Sequence, residues 1–123
     1  MECIMKVLIA DDSSMSRKMV LRALPESLTE DVRQACNGAE VMEAYHAGLV
    51  DLLFLDLTMP VMDGFQTLEA LKREDANVIV VVISADIQPL ARQRVKELGA
   101  AAFVAKPVTA EAVLNALHVI GVL

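Results

Sequence analysis

Short runs of mostly apolar residues, separated by longer segments with helical spacing, constrain the fold more than any other feature of this sequence. The runs are Lys6–Ala10, Leu52–Leu55, Val78–Ile83 and Ala102–Val104, with a weaker one near Val32–Cys36. Strands that are apolar on consecutive positions are buried on both faces, which is typical of a parallel sheet covered by helices. An antiparallel sheet with one face in water would instead show alternation.

The segments that follow these runs have the spacing and the end signals of helices. They are Ser14–Leu24, Ala39–Ala47, Phe65–Arg73, Pro89–Leu98 and Thr109–Ile120. We expect Ser13, Asn37 and Thr109 to cap helix starts, and Gly48 and Gly99 to form left-handed helix exits. The alternation predicts an α/β fold of the flavodoxin-like (βα)5 type, a doubly wound five-stranded parallel sheet with helices on both faces.

Composition and charge exclude several classes of protein. The chain has 123 residues, of which 55% are hydrophobic, so we expect one domain over residues 1–123. A formal charge of −6 argues against direct contact with nucleic acid. We expect no membrane span and, since Glu2 stands where a signal peptide would be basic, a cytoplasmic protein. Cys3 and Cys36 match no metal or disulfide pattern and are expected to be reduced thiols packed like apolar residues.

Polar residues occupy the carboxyl-terminal ends of four predicted strands. Asp11 and Asp12 follow the first strand, Asp56 ends the third, Ser84 ends the fourth and Lys106 follows the fifth. Because parallel strands joined by right-handed crossovers end at one edge of the sheet, we expect these side chains to lie together. Taken singly, each has a plainer interpretation as a helix cap, a turn acid, a backbone-bonded hydroxyl or a surface lysine. Those interpretations do not explain why all of them converge.

The predicted cluster has the chemistry of a phosphoryl site. Carboxylates held within a few ångströms raise one another's pKa unless a cation offsets their charge. Lys106 alone supplies too little, so we expect a hard divalent cation, Mg²⁺, with carboxylate, water and phosphate oxygens as ligands. A carboxylate can accept a phosphoryl group by forming an acyl phosphate. Asp56 is predicted to be that nucleophile, with Lys106 and Ser84 bound to phosphate oxygens.

The ordered motifs resemble those of the receiver domains of two-component response regulators, and in size the chain is similar to the stand-alone chemotaxis type. The resemblance covers essentially the whole length and rests on Val7–Asp12, Asp51–Gly64, Ile83–Ala85 and Gly99–Pro107. It implies a signalling switch that takes a phosphoryl group from a histidine kinase or histidine phosphotransfer protein. It also implies catalysis only of the domain's own phosphorylation and dephosphorylation, and control of a partner protein through the surface of the fourth helix, fifth strand and fifth helix.

The resemblance further implies roles for individual residues around the metal ion. Asp56 is the phosphoacceptor, and both Asp12 and Asp56 bind Mg²⁺ directly. Asp11 acts through water, and the backbone carbonyl of Thr58 completes the protein ligands. Lys106 neutralises the phosphoryl group.

The switch and the phosphate lifetime are assigned in the same way. Ser84 and Phe103 form the switch, in which the hydroxyl moves toward the phosphate and the ring rotates inward. Phe103 lacks the hydroxyl of the tyrosine often found there. The Lys106–Pro107 bond is expected to be cis. Thr58 and Asp86 tune dephosphorylation, and our hypothesis is that Asp86 orients the attacking water while the Thr58 methyl obstructs it.

Two alternative functions from other classes compete with the receiver interpretation. An aspartyl phosphatase or phosphotransferase would also place its nucleophile, here Asp56, after a strand, but such enzymes usually carry an acid where this chain has Thr58. A flavodoxin-like module would bind FMN with Ser13, Ser14 and Ser16 as its phosphate loop. The adjacent acids after the first strand would repel a metal-free phosphate, and a chain with one Tyr and no Trp offers little to stack on a flavin.

Two helix faces remain to be assigned. The apolar residues of the last helix are expected mostly to face the sheet: Val113, Leu114, Ala116, Leu117 and Ile120. A basic run on the fourth helix, Arg92, Arg94 and Lys96, is expected to be a solvated face, with contact to an acidic partner as the alternative.

Overall fold

A computed structural model describes residues 4–86 and 88–123 of the chain, and in them one five-stranded parallel sheet has the strand order β2-β1-β3-β4-β5. The strands are β1 (Val7–Ala10), β2 (Val32–Ala35), β3 (Leu52–Asp56), β4 (Ile79–Ser84) and β5 (Ala102–Ala105). The helices are α1 (Ser14–Ala23), α2 (Gly38–His46), α3 (Gly64–Arg73), α4 (Pro89–Glu97) and α5 (Ala110–Val119), with a short 3₁₀ helix at Glu26–Leu28. The predicted flavodoxin-like fold is confirmed.

The sheet has an apolar core on each face, as the continuous apolar strands predict. Leu53 and Val82 pack with α2, α3 and α4 on one face, and Phe54 and Val81 pack with α1 and α5 on the other. All residues of β1 and β3 are buried, because helices cover both sides of these central strands. β2 lies at the edge of the sheet and exposes Arg33 and Gln34, which is why its sequence signal is weak.

The helix ends follow the predicted capping chemistry. The side chains of Ser13, Asn37 and Thr109 each accept a hydrogen bond from a backbone N–H in the first turn of α1, α2 and α5. Gly48 and Gly99 have φ angles of 74° and 102°, as left-handed helix exits require.

α3 carries a cap that the sequence analysis missed. The Asp63 side chain accepts from the Gln66 N–H at 2.9 Å, and the Gln66 side chain accepts in return from the Asp63 N–H at 2.9 Å. This capping box explains why the helix begins at Gly64 rather than at Phe65.

One expectation about buried residues is wrong, and one about α5 is confirmed. Cys36 is exposed, because it lies just beyond the end of edge strand β2, and Cys3 lies outside the described residues. The apolar residues of α5 mostly face the sheet, as expected, with Val113 and Leu117 fully buried and Ala116 and Ile120 packed against the same core. Leu114 is 40% exposed, since adjacent helix positions point about 100° apart. Within residues 4–86 and 88–123, no helix has both the length and the apolar character needed to cross a bilayer.

Candidate functional site

Three carboxylates meet at the carboxyl edge of the sheet. Strands β1 and β3 pair so that Ala10 lies opposite Leu55, which brings the next residues, Asp11 and Asp56, side by side. One carboxylate oxygen from each of Asp11, Asp12 and Asp56 lies within 4.8 Å of the others. Asp11 and Asp56 are buried, and Asp12 is exposed. The predicted convergence of these acids is therefore present in the structure.

Lys106 reaches the same cluster from the loop after β5. Its Nζ lies 3.0 Å from Asp11 Oδ2 and 3.4 Å from Asp56 Oδ1, and its backbone N–H donates to the Ser84 carbonyl at 2.9 Å. Burial lowers the pKa of Lys106, but the hydrogen bond to Asp11 and the charge of Asp56 outweigh burial and raise it overall. Lys106 is therefore a fixed cation. The Lys106–Pro107 bond is cis, as expected.

The surroundings of Asp56 raise its pKa despite the nearby Lys106. Burial raises the pKa of the Asp56 carboxyl above its ordinary 3.8, the charge of Asp11 raises it further, and Lys106 opposes both effects. A buried acid with a raised pKa is one whose negative charge lacks compensation. The donor set of three carboxylates suits a hard divalent cation, which would supply that compensation.

Asp11 is held more firmly than the other two acids. Its Oδ1 accepts from the Ser13 N–H at 2.9 Å while Oδ2 binds Lys106, and its backbone carbonyl accepts from Arg17 Nη1 at 2.7 Å. Arg17 Nε in turn donates to the Gln34 side chain at 2.7 Å. Sequence reasoning missed Arg17, for which the only signal was a basic residue one turn into the helix after two acids. Because both Asp11 oxygens are engaged, the geometry suits the water-mediated role expected of it.

An open pocket of about 430 Å³ lies over the carboxylates. Its walls comprise Asp12, Asp56, Thr58, Ser84, Ala85, Asp86 and Lys106. The Ser84 hydroxyl accepts from the Asp86 N–H at 3.0 Å, and Asp86 Oδ1 accepts from the Gln88 N–H at 3.1 Å. The Ser84 hydroxyl and the Asp86 side chain are thus each engaged by a backbone N–H. The two residues expected to tune dephosphorylation, Thr58 and Asp86, both border the pocket.

Gly64 allows α3 to start directly beside the end of β3. A Cβ at Gly64 would lie 2.4 Å from the Asp56 carbonyl oxygen and 2.7 Å from the Leu57 Cα. The Gly64 N–H also donates to the Leu57 carbonyl at 3.0 Å. In the preceding turn, Val61 has a φ of 67° and is 83% exposed, which is an unusual conformation for a β-branched residue.

Phe103 lies in a separate groove rather than among the pocket residues. It is half-buried on β5, opposite Val82, and the Arg92 guanidinium carbon of α4 lies 4.7 Å from the centre of its ring. This groove is lined by Arg92, Val95, Lys96, Ala100, Ala101, Ala102 and Phe103. Arg92, Arg94 and Lys96 are all exposed, as expected of a solvated face. The sequence analysis missed the contact of the Arg92 guanidinium with an aromatic ring.

Comparisons with known proteins agree with this geometry. The sequence profile of the response regulator receiver domain matches residues 7–118. Chemotaxis protein CheY of Bacillus subtilis is 35% identical over 113 residues, covering 92% of this chain and 94% of that protein. Chemotaxis protein CheY4 of Vibrio cholerae superposes with a TM-score of 0.84 at 28% identity, covering 96% and 99% of the two chains. A chain of the CheX-CheY-BeF3-Mg complex of Borrelia burgdorferi gives 0.86 at 29% identity, covering 95% and 89%.

Proposed function

The chain belongs to the response regulator receiver domains, the phosphoaccepting switches of two-component signalling, and from this premise we propose that Asp56 is the residue that accepts the phosphoryl group. As a receiver domain of the CheY type it is not a classical enzyme, and the FMN-binding and phosphatase alternatives are set aside. The observation that carries the proposal is the position of the Asp56 carboxylate. It ends β3 beside two other acids, borders the open pocket and lies 3.4 Å from Lys106.

Receiver domains generally bind Mg²⁺, and the residues at this edge fit that ion. Asp12 and Asp56 would bind it directly, the Thr58 backbone carbonyl would complete the protein ligands, and Asp11 would act through water. Burial and the charge of Asp11, which together raise the pKa of Asp56, support this assignment, because a divalent cation would offset both effects. When bound, the ion neutralises the carboxylates and the incoming phosphoryl oxygens.

The phosphoryl donor is proposed to be a phosphohistidine on a kinase or phosphotransfer protein. An Asp56 carboxylate oxygen attacks phosphorus, an O–P bond forms, and the N–P bond to the donor imidazole breaks. Lys106 Nζ, already between Asp11 and Asp56, donates to a phosphoryl oxygen and offsets its charge. The Ser84 hydroxyl, which borders the same pocket, donates to another phosphoryl oxygen.

Hydrolysis of the acyl phosphate returns the domain to its resting state. We assign Asp86 to orienting the attacking water and the Thr58 methyl to obstructing it, since both residues border the pocket. An Asp86→Ala variant that loses its phosphoryl group at the wild-type rate would end this assignment. The domain's catalysis is thus proposed to be limited to its own phosphorylation and dephosphorylation.

The output of the switch is proposed to be a protein contact on the surface of α4, β5 and α5. Movement of Ser84 toward the phosphoryl group and of Phe103 inward would change that surface. The CheX-CheY complex of Borrelia burgdorferi is a relative bound to a protein, which supports a protein partner here. We further propose that residues 1–123 form a single domain that acts in the cytoplasm, without direct contact with nucleic acid or membrane.

Phosphorylation by acetyl phosphate tests the proposed acceptor. Incubation with acetyl phosphate and Mg²⁺, followed by intact mass measurement, should add one phosphoryl group to the wild type and none to Asp56→Asn. Chelation of the metal should abolish the labelling. The matched control is Asp75→Asn, since Asp75 is exposed beyond the far end of α3 and its variant should label normally. Equal labelling of Asp56→Asn and wild type would refute the assignment.

A further inference from the structure

Two arginines fasten α4 to its neighbours by stacking on aromatic rings. The Arg92 guanidinium carbon lies 4.7 Å from the centre of the Phe103 ring on β5, and that of Arg94 lies 4.3 Å from the centre of the Phe65 ring on α3. Both distances are within the range of cation–π attraction, about 6 Å. Arg94 is also 3.4 Å from the Glu69 carboxylate. The two arginines therefore tie opposite sides of the helix to different elements.

α4 has little apolar packing to hold it otherwise. Val95 is the one residue of α4 that is buried, and Leu90 is 79% exposed. At the carboxyl end of the helix, Lys72 Nζ of α3 donates to the Glu97 carbonyl at 2.8 Å. Two side chains, Arg94 and Lys72, thus connect α4 to α3. On the side of α4 that faces β5, the corresponding contact is the stacking of Arg92 on Phe103.

The Phe103 ring is held between this arginine and the core. It packs against the apolar cluster on the α2–α4 face of the sheet and remains partly exposed beneath Arg92. Two residues further along β5, Ala105 pairs with Ser84, and the next residue is Lys106, which contacts Asp56. The strand therefore links the ring directly to the groups that would bind a phosphoryl oxygen.

The helix itself gains nothing from a cation at this position. Arg92 follows Pro89 by three residues, and a positive charge near the amino-terminal end of a helix is disfavoured by the helix dipole. The favourable contact of this side chain is with the Phe103 ring, so its effect should be on the ring rather than on helix formation.

We propose that Arg92 is a latch that holds the Phe103 ring in its partly exposed position and opposes the switch to the phosphorylated state. The inference rests on the proposed function, in which the ring moves inward after Asp56 is phosphorylated. An interaction made in only one of two states shifts their equilibrium by its own strength. Loss of an exposed cation–π contact should therefore favour the inward state about two- to fivefold.

Fluorine NMR can observe the ring directly. The chain has three phenylalanines, so protein made with 4-fluorophenylalanine gives three ring signals, and Phe103→Leu identifies the one of interest. Spectra are recorded before and after addition of Mg²⁺ and beryllofluoride, which mimics a phosphoryl group. In the wild type, the Phe103 signal should move on addition. In Arg92→Gln, the Phe103 signal should already be shifted toward the beryllofluoride-bound position before any addition. The signal of Arg92→Lys should lie between those of the wild type and Arg92→Gln.

Arg94→Gln is the matched control, because it removes the same type of stack from the same helix at a ring outside the proposed switch. Its Phe103 signal should stay at the wild-type position. The rate of phosphorylation by acetyl phosphate should rise about two- to fivefold in Arg92→Gln and stay at the wild-type value in Arg94→Gln. Thermal unfolding verifies that each variant is folded. If Arg92→Gln does not fold, the same signal and rate are measured in Arg92→Lys.

The outcomes separate the latch from the proposed function. If the Phe103 signal of the wild type does not move with beryllofluoride and acetyl phosphate does not phosphorylate the wild type, both the latch and the proposed function are overturned. If the wild-type Phe103 signal moves with beryllofluoride but Arg92→Gln has the same signal position and phosphorylation rate as the wild type, the latch alone is overturned. Equal shifts in the Arg92 and Arg94 variants would also overturn it, because they would reflect a general loosening of α4.

Discussion

Replacing Asp56 by Asn should stabilise the protein when no divalent cation is present. The carboxylate oxygens of Asp11 and Asp12 lie within 4.8 Å of that of Asp56, which at an effective dielectric constant of about 20 corresponds to a repulsion of about 3.5 kcal/mol each. Attraction to Lys106 at 3.4 Å returns about 5 kcal/mol. The charges alone thus disfavour ionised Asp56 by about 2 kcal/mol.

Two further effects act on that figure in opposite directions. The Asp56 side chain is 8% exposed, so removing its charge also removes a desolvation penalty. Asp12 is exposed, and water and salt weaken its repulsion. We therefore expect Asp56→Asn to raise the free energy of unfolding by about 1–2 kcal/mol, which for a domain of this size raises the Tm by about 4–8 °C.

Thermal unfolding in EDTA and in Mg²⁺ measures the effect. In EDTA the variant should melt above the wild type. Mg²⁺ at ten times its Kd should stabilise the wild type by about 1.4 kcal/mol and the variant by less, because one ligand has lost its charge. Glu30→Gln is the control, since Glu30 is exposed before β2 at the opposite edge of the sheet and its variant should respond like the wild type. A variant less stable than the wild type in EDTA would refute the electrostatic account.

Three further predictions concern the same region. The stability gained in Asp56→Asn should be full above the raised pKa of Asp56 and should vanish as the pH falls through that pKa toward 3.8. The reason is that the folded wild type then takes up a proton, which removes the charge of Asp56. Urea unfolding across pH measures the stability difference, and a difference that grows on acidification would contradict this. Val61→Asn should stabilise by about 0.5–1 kcal/mol, since Asn tolerates the φ of 67° that a β-branched residue resists. Val61→Thr, still β-branched, should leave stability unchanged, and an equal gain in both would reject strain as the cause. Gly64→Ala should destabilise by about 1–3 kcal/mol in urea unfolding, because its Cβ would lie 2.4 Å from a backbone oxygen, and a neutral effect would show that α3 can shift freely.

The strands that are buried on both faces could be predicted from the sequence, because they consist of consecutive apolar residues. β3 and β4 are apolar along their length because both faces are covered, and their bounds were predicted to within a residue. β2 has Arg33 and Gln34 in its middle because an edge strand is partly open to water, so its signal was weak. Leu114 is the exposed member of the apolar set on α5, and hydrophobicity alone does not specify which of these residues points away from the sheet.

The site could be predicted because topology alone brings strand ends together. Asp11, Asp56 and Lys106 meet once the strands are parallel and ordered, whatever the details of packing. The contacts that were missed depend on side chains of elements far apart in sequence. Arg17 reaching the Asp11 carbonyl, and Arg92 covering Phe103, need the relative positions of helix and sheet, which no local pattern contains.

Chemical trapping of the phosphorylated residue tests the central claim most directly. Borohydride reduces an aspartyl phosphate to homoserine, which tandem mass spectrometry of peptides then locates in the chain. After treatment with acetyl phosphate and Mg²⁺, homoserine should appear at position 56, in an amount equal to the phosphorylated fraction seen by intact mass. Homoserine at Asp11 or Asp12 instead, or phosphorylation that leaves Asp56 unreduced, would contradict the account.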